Sequence, residues 1–154
     1  MSESAPDEAQ SNELEIKNIL LVDDDIDLAN TLKELLESHN FVVTTVQDGV
    51  DALREVMNFD FDVIICDMLM PKMPGDMFYL AVQKTKPDLC RRFLFVTGYG
   101  DNPKVEAFLK RVDGLVIFKP VLSDDLIHMI SIVMKRGQEA PGSVGPIPAG
   151  RHSK

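Results

Sequence analysis

Four short runs of the chain, Ile19–Val22, Val63–Cys66, Phe93–Val96 and Leu115–Phe118, contain no polar residue. A strand with one face in water alternates apolar and polar side chains. Runs this short without alternation fit strands buried on both faces, as in a parallel sheet covered by helices. A fifth run, Val42–Val46, contains Thr44 and Thr45 and reads as an edge strand. The segments between have helical period. Ile26, Ala29, Leu32, Leu35 and Leu36 form one stripe, and Leu53, Val56 and Met57 a second. Phe78, Ala81 and Val82 form a third, followed by Val105, Phe108 and Leu109, then Leu126, Ile130, Val133 and Met134. Ser123 is the expected N-cap of the last helix, with Asp124 and Asp125 in its first turn. Five strands alternating with five helices predict a doubly wound α/β domain, (βα)5, with a five-stranded parallel sheet in the order 2-1-3-4-5.

The alternation spans residues 17–136. Residues 1–16 are acidic and polar and read as a disordered lead-in. Residues 137–154 are Gly- and Pro-rich and aperiodic and read as a flexible tail. A formal charge of -9 argues against nucleic acid and anionic membranes as partners, because such surfaces bind an excess of Lys and Arg. The longest apolar runs fall far short of the roughly 20 residues a membrane span needs. The acidic N-terminus lacks the apolar core of a signal peptide, so a cytoplasmic location is expected. Cys66 and Cys90 have no metal-binding spacing and read as free thiols. His39, His128 and His152 are scattered and support no hydrolase triad.

Ligands of open α/β sheets sit beyond the carboxyl ends of the strands, where the strand order reverses. The residues there are therefore the ones to read for chemistry. The first strand ends in Asp23 and Asp24, the third in Asp67, the fourth in Thr97 and the fifth in Lys119. Singly, each has an ordinary explanation: a turn aspartate, a strand threonine, a surface lysine. Their convergence on one rim does not. Two like charges 4 Å apart cost about 4 kcal/mol at an effective dielectric near 20. The cluster therefore needs a cation, or one carboxylate must stay protonated. An all-oxygen set favours a hard divalent ion, Mg²⁺ before Ca²⁺. With the metal in place, one carboxylate is free to attack phosphorus and form an acyl phosphate. The metal and Lys119 neutralise the phosphoryl oxygens, and the Thr97 hydroxyl donates to one of them. Asp25 reads as a helix cap, and Asp62, Asp76, Asp88 and Asp113 as solvated loop residues.

These residues resemble the response-regulator receiver domains of two-component signalling. The resemblance rests on ILLVDDD at 19–25, D-M-L-M-P with Gly75 at 67–75, VTGYG at 96–100 and FKP at 118–120, in matching order and spacing. It implies that Asp67 is the phosphoacceptor and that Mg²⁺ is bound by Asp24 directly, Asp23 through water, Asp67 and the backbone carbonyl of Leu69. It further implies that Thr97 and Lys119 bind the phosphoryl group and that the Lys119–Pro120 bond is cis. The donor would be a phosphohistidine on a sensor kinase or phosphotransfer protein. The output would be a shift of the surface formed by the fourth helix, fifth strand and fifth helix, which docks a downstream protein. Such a domain is a monomer or weak dimer and is no enzyme beyond its self-phosphorylation and autodephosphorylation.

Many receivers carry an aromatic residue three positions before the lysine. Here that position is Val116, and the nearby Phe118 is adjacent to Lys119, so it lies on the other side of the strand from it. Leu69 and Tyr99 flank the expected path of attacking water and predict slow autodephosphorylation, while Gly98 leaves the approach of a donor open. Two other functions compete. A haloacid-dehalogenase-type phosphatase would take Asp23 and Asp25 as its D-x-D pair, but Asp27 stands where that family has Thr or Val. A phosphorylation-independent interaction module would keep the fold alone, and only Val116 favours it. A flavodoxin-type electron carrier would need a Ser/Thr/Gly-rich phosphate loop after the first strand, and a calcium loop starting at Asp23 would need Gly where Leu28 stands. With no output domain after residue 136, a stand-alone receiver is expected, with an excised receiver of a hybrid kinase as the alternative.

Overall fold

Every unbroken apolar run is a strand. The computed structural model describes residues 15–98 and 102–138. It contains β1 (Lys17–Val22), α1 (Ile26–Ser38), β2 (Phe41–Val46), α2 (Gly49–Asn58), β3 (Val63–Asp67) and α3 (Gly75–Thr85). These are followed by β4 (Phe93–Thr97), α4 (Pro103–Val112), β5 (Leu115–Phe118) and α5 (Ser123–Gln138). All neighbouring strands pair in parallel, in the order β2-β1-β3-β4-β5. β2 is an edge strand, as its two threonines suggest, and β5 is the other edge.

Pleat alternation sorts the strand residues into two cores. Leu20, Val22, Ile64, Cys66, Phe93 and Phe95 pack with Ala52, Val56, Phe78, Val82 and Phe108, on the side covered by α2, α3 and α4. Ile19, Leu21, Val63, Ile65, Leu94 and Val96 pack with Leu32, Leu36, Leu126 and Ile130, under α1 and α5. The central strands β3 and β4 are buried along their full length.

The helical stripes hold in outline and shift in phase. Ile26 and Met57 are 52% and 48% exposed, while Ala52 and Tyr79 are buried instead. The stripe of α1 keeps its phase, with only its first residue Ile26 exposed. A stripe of three apolar residues, by contrast, leaves the rotation of α2 and α3 undetermined by about one residue, and the sheet contact then sets it. Tyr79 is drawn inward by aromatic neighbours, with ring centroids 5.0 Å from Phe93 and 5.5 Å from Phe108.

Asp25 caps α1, its side chain accepting from the Leu28 amide at 3.1 Å. Ser123 is not the cap of α5. It is the first helical residue, and the carbonyl of Leu122 accepts the first helical bond, from Leu126. α5 also continues through Gly137 and Gln138, past the expected boundary at 136, with Gly137 packed near the Arg92 side chain. A 3-10 turn at Pro87–Arg92 precedes β4 and has no counterpart among the sequence expectations. The lead-in 1–16, but for its last two residues, and the tail beyond 138 lie outside the described residues.

Two aspartates read as solvated loop residues have structural partners. Asp62 accepts from the Asn18 amide at 2.7 Å and so ties down the start of β1. Asp113 closes α4 in the left-handed region at φ 54° and lies 3.7 Å from Arg136. Among the described residues no helix is long and apolar enough to cross a membrane.

Candidate functional site

β1 and β3 are neighbours in the sheet, yet α1 leaves toward one face and α3 toward the other. The crevice opened by that divergence lies past Val22 and Cys66, which are register partners. Asp23, Asp24 and Asp67 meet there. One carboxylate oxygen from each lies within 4.8 Å of the other two. Asp23 and Asp67 are buried, whereas Asp24 is exposed and faces the approach from water.

Local hydrogen bonds orient the two buried carboxylates. Asp23 Oδ1 accepts from the Asp25 amide at 2.8 Å, and Asp67 Oδ1 accepts from the Leu69 amide at 3.3 Å. Their other oxygens face Lys119, whose Nζ is 3.4 Å from Asp67 Oδ2 and 3.7 Å from Asp23 Oδ2. The lysine directly follows β5, and its peptide bond to Pro120 is cis. Its amide donates to the Thr97 carbonyl at 2.8 Å, which extends the β4–β5 pairing by one residue.

Burial sets the protonation of this group. It raises the pKa of Asp67 from 3.8 to about 6, and the charge of Asp23 pushes the same way. Lys119 and the Leu69 amide pull it down without prevailing. Asp23 is also raised, first by burial, against the Asp25 amide and Lys119. Burial lowers the Lys119 ammonium, but Asp67 and Asp23 outweigh it and hold its pKa above the usual lysine value. The chain's own cation therefore compensates two buried carboxylates only in part. The donors are all oxygen and one of them is open to water, which is the chemistry that suits a hard divalent cation.

Thr97 is fully buried at the end of β4, and its register partner in β5 is Phe118. Val116 packs with the core on the α2–α4 side, and pleat alternation puts Phe118 on that same side, 52% exposed. The aromatic residue beside Thr97 is thus Phe118 at the exposed end of β5. Among the described residues, a side chain on Gly98 would meet only Lys119 carbons, at 3.7 and 3.8 Å, which is ordinary contact. Leu69 is 38% exposed beside the cluster, whereas Tyr99 lies outside the described residues.

Two residues near the site escaped the sequence reading. Asp48 is buried, caps α2 through the Asp51 amide at 2.9 Å, and lies 3.5 Å from Lys72 Nζ. The cap was readable from an aspartate standing before an apolar-periodic segment. Its pairing with a lysine 24 positions away left no local signal. Both cysteines are free, and burial raises the pKa of each, which makes them poor nucleophiles.

The family model described as the response regulator receiver domain matches residues 19–131. The response regulator receiver protein CpdR of Brucella abortus is 30% identical over 118 residues, covering 75% of this chain and 94% of its own length. The transcriptional regulatory protein GlrR of Escherichia coli is 29% identical over 126 residues; they cover 82% of this chain but only 28% of GlrR. Among solved structures, a CheY-like response regulator receiver domain protein from Methanospirillum hungatei superposes with a TM-score of 0.74 at 26% identity. It covers 80% of this chain and 98% of its own.

Proposed function

The chain belongs to the response-regulator receiver family, and on that premise we propose that it is a phosphorylation-dependent switch in which Asp67 takes the phosphoryl group. The observation that carries this reading is the meeting of Asp23, Asp24 and Asp67 within 4.8 Å, with Lys119 3.4 Å from Asp67. Three carboxylates and one ammonium leave net negative charge in a largely buried crevice, and a divalent cation offsets it. Asp23, Asp24, Asp67 and the Leu69 carbonyl are the residues proposed to hold Mg²⁺. Bound there, the ion supplies charge neutralisation to the transferring phosphoryl oxygens.

The chain's own residues perform the rest. An Asp67 oxygen attacks the phosphorus of a phosphohistidine, the P–N bond breaks, and its electron pair stays with the imidazole, which takes up a proton. Lys119 pairs with one phosphoryl oxygen and the Thr97 hydroxyl donates to another. The exposed Leu69 side chain screens the path of hydrolytic water, and Tyr99 is the second residue expected to slow autodephosphorylation. The donor is a sensor kinase or phosphotransfer protein. The phosphorylated state is read by a downstream protein at the surface of α4, β5 and α5, where Phe118 is exposed. No other catalysis is proposed for residues 17–136.

Intact-mass spectrometry after incubation with acetyl phosphate tests this, with and without Mg²⁺, on the wild type and on Asp67→Asn. One added phosphoryl group, present only with Mg²⁺ and only in the wild type, is expected. Phosphorylation of the Asp67→Asn variant to the same extent would overturn the assignment of the acceptor.

A further inference from the structure

The segment between Asp67 and α3 carries Leu69, whose carbonyl belongs to the proposed metal site, so whatever holds this segment in place bears on metal binding. At its ends the backbone does so: the Met68 amide donates to the Val96 carbonyl at 3.3 Å, and the Gly75 amide to the Met68 carbonyl at 3.0 Å. In its middle the holding is done by another loop. Lys72 lies in the left-handed region at φ 66°, a conformation that a lysine keeps only when its surroundings impose it. Its ammonium lies 3.5 Å from the buried Asp48 carboxylate. The next residue, Met73, accepts at its carbonyl from the Gly49 amide at 3.2 Å. The two backbones approach so closely that a Cβ on Gly49 would lie 2.4 Å from the Met73 oxygen and 2.7 Å from its Cβ.

We propose that Asp48 is a positioning residue for the Asp67 site: acting through Lys72 and the Gly49–Met73 contact, it holds the loop that carries Leu69 in metal-binding form before the metal arrives. The inference rests on the metal-binding reading above. Asp48 serves both sides of the junction, because one carboxylate oxygen caps α2 and the other faces Lys72. Orientation of ligand groups by outer partners is a general determinant of metal affinity.

The test uses Asp48→Asn, Lys72→Met, their double variant and Gly49→Ala in the full chain. Asn is as good an N-cap as Asp, so Asp48→Asn retains the cap and removes the charge that Lys72 meets. Mg²⁺ affinity is read by titration calorimetry, and amide hydrogen exchange at Leu69 and Met73 is read in metal-free protein. Asp48→Asn and Lys72→Met are each expected to weaken Mg²⁺ binding by about tenfold and to speed exchange at both amides. Their effects should not add in the double variant, while the thermal midpoint in EDTA moves by less than about 4 °C. Gly49→Ala, which forces Met73 away, should weaken binding at least as much. Unchanged Mg²⁺ affinity in Asp48→Asn and Gly49→Ala, beside normal binding by the wild type, would overturn this inference alone. Absence of Mg²⁺ binding by the wild type would overturn the metal site and this inference together.

Discussion

Lys119 Nζ stands 3.4 Å from Asp67 Oδ2, so the carboxylate proposed to accept phosphate faces a cation supplied by the chain itself. That ammonium is one of the few influences that lower the Asp67 pKa against burial and Asp23. Lys119→Ala is therefore expected to push the Asp67 pKa above its value of about 6 in metal-free protein, as read by carboxyl-carbon NMR titration. The fold should persist, because Lys119 lies outside both hydrophobic clusters. In the phosphorylated variant, gain of affinity for the downstream partner should be lost. A partner affinity that still rises on phosphorylation would remove Lys119 from the switch.

Asp67 gives the metal-free protein a definite pH dependence. Its pKa is raised from 3.8 to about 6 in the folded state, so folding favours the protonated form. The stabilising contribution is complete below pH 3.8 and is lost as pH rises through about 6. Asp23, also raised, acts in the same direction. Asp67→Asn should then be more stable than the wild type in EDTA at pH 7.5, by up to about 3 kcal/mol, with little advantage at pH 3.5. Urea titrations at the two pH values decide it. An advantage of equal size at both would mean that the Asp67 charge is not its source.

Gly75 and Gly98 flank the same site but differ in what they tolerate. A Cβ on Gly75 would lie 2.5 Å from the Asp67 carbonyl oxygen and 3.0 Å from the Met68 Cα, both backbone atoms that cannot swing aside. Gly75→Ala is expected to cost about 1–3 kcal/mol in urea unfolding, outweighing the helix propensity gained. Among the described residues, Gly98→Ala meets only ordinary contacts with Lys119, and it should leave stability unchanged within about 0.5 kcal/mol.

Asp24 is exposed and engages none of the hydrogen bonds that orient Asp23 and Asp67. Asp24→Asn should thus weaken Mg²⁺ binding by about tenfold or more with a thermal midpoint in EDTA close to that of the wild type. Calorimetric titration beside a thermal scan separates the two effects. Undiminished Mg²⁺ affinity would take Asp24 out of the ligand set.

What was legible in the sequence follows from periodicity. Runs such as Val63–Cys66 and Phe93–Val96 lack polar residues because both faces of those strands are covered, and that pattern led to the parallel sheet and its order. Once the sheet is laid down, Asp23, Asp24, Asp67, Thr97 and Lys119 must share one rim, because each ends a strand or lies within two residues of its end. Helix phase was less legible where stripes are short, since Met57 and Ala52 or Ala81 and Tyr79 differ in burial by small rotations that only packing against the sheet selects. The chemistry of the rim was least legible. The raised pKa of Asp67 depends on how completely water is excluded and on the exact stand of Asp23 and Lys119, quantities that no spacing encodes. The same holds for the meeting of Asp48 with Lys72: tertiary structure alone decides that pairing, because two residues 24 positions apart become neighbours only when the loops after β2 and β3 are brought side by side by the order of the strands.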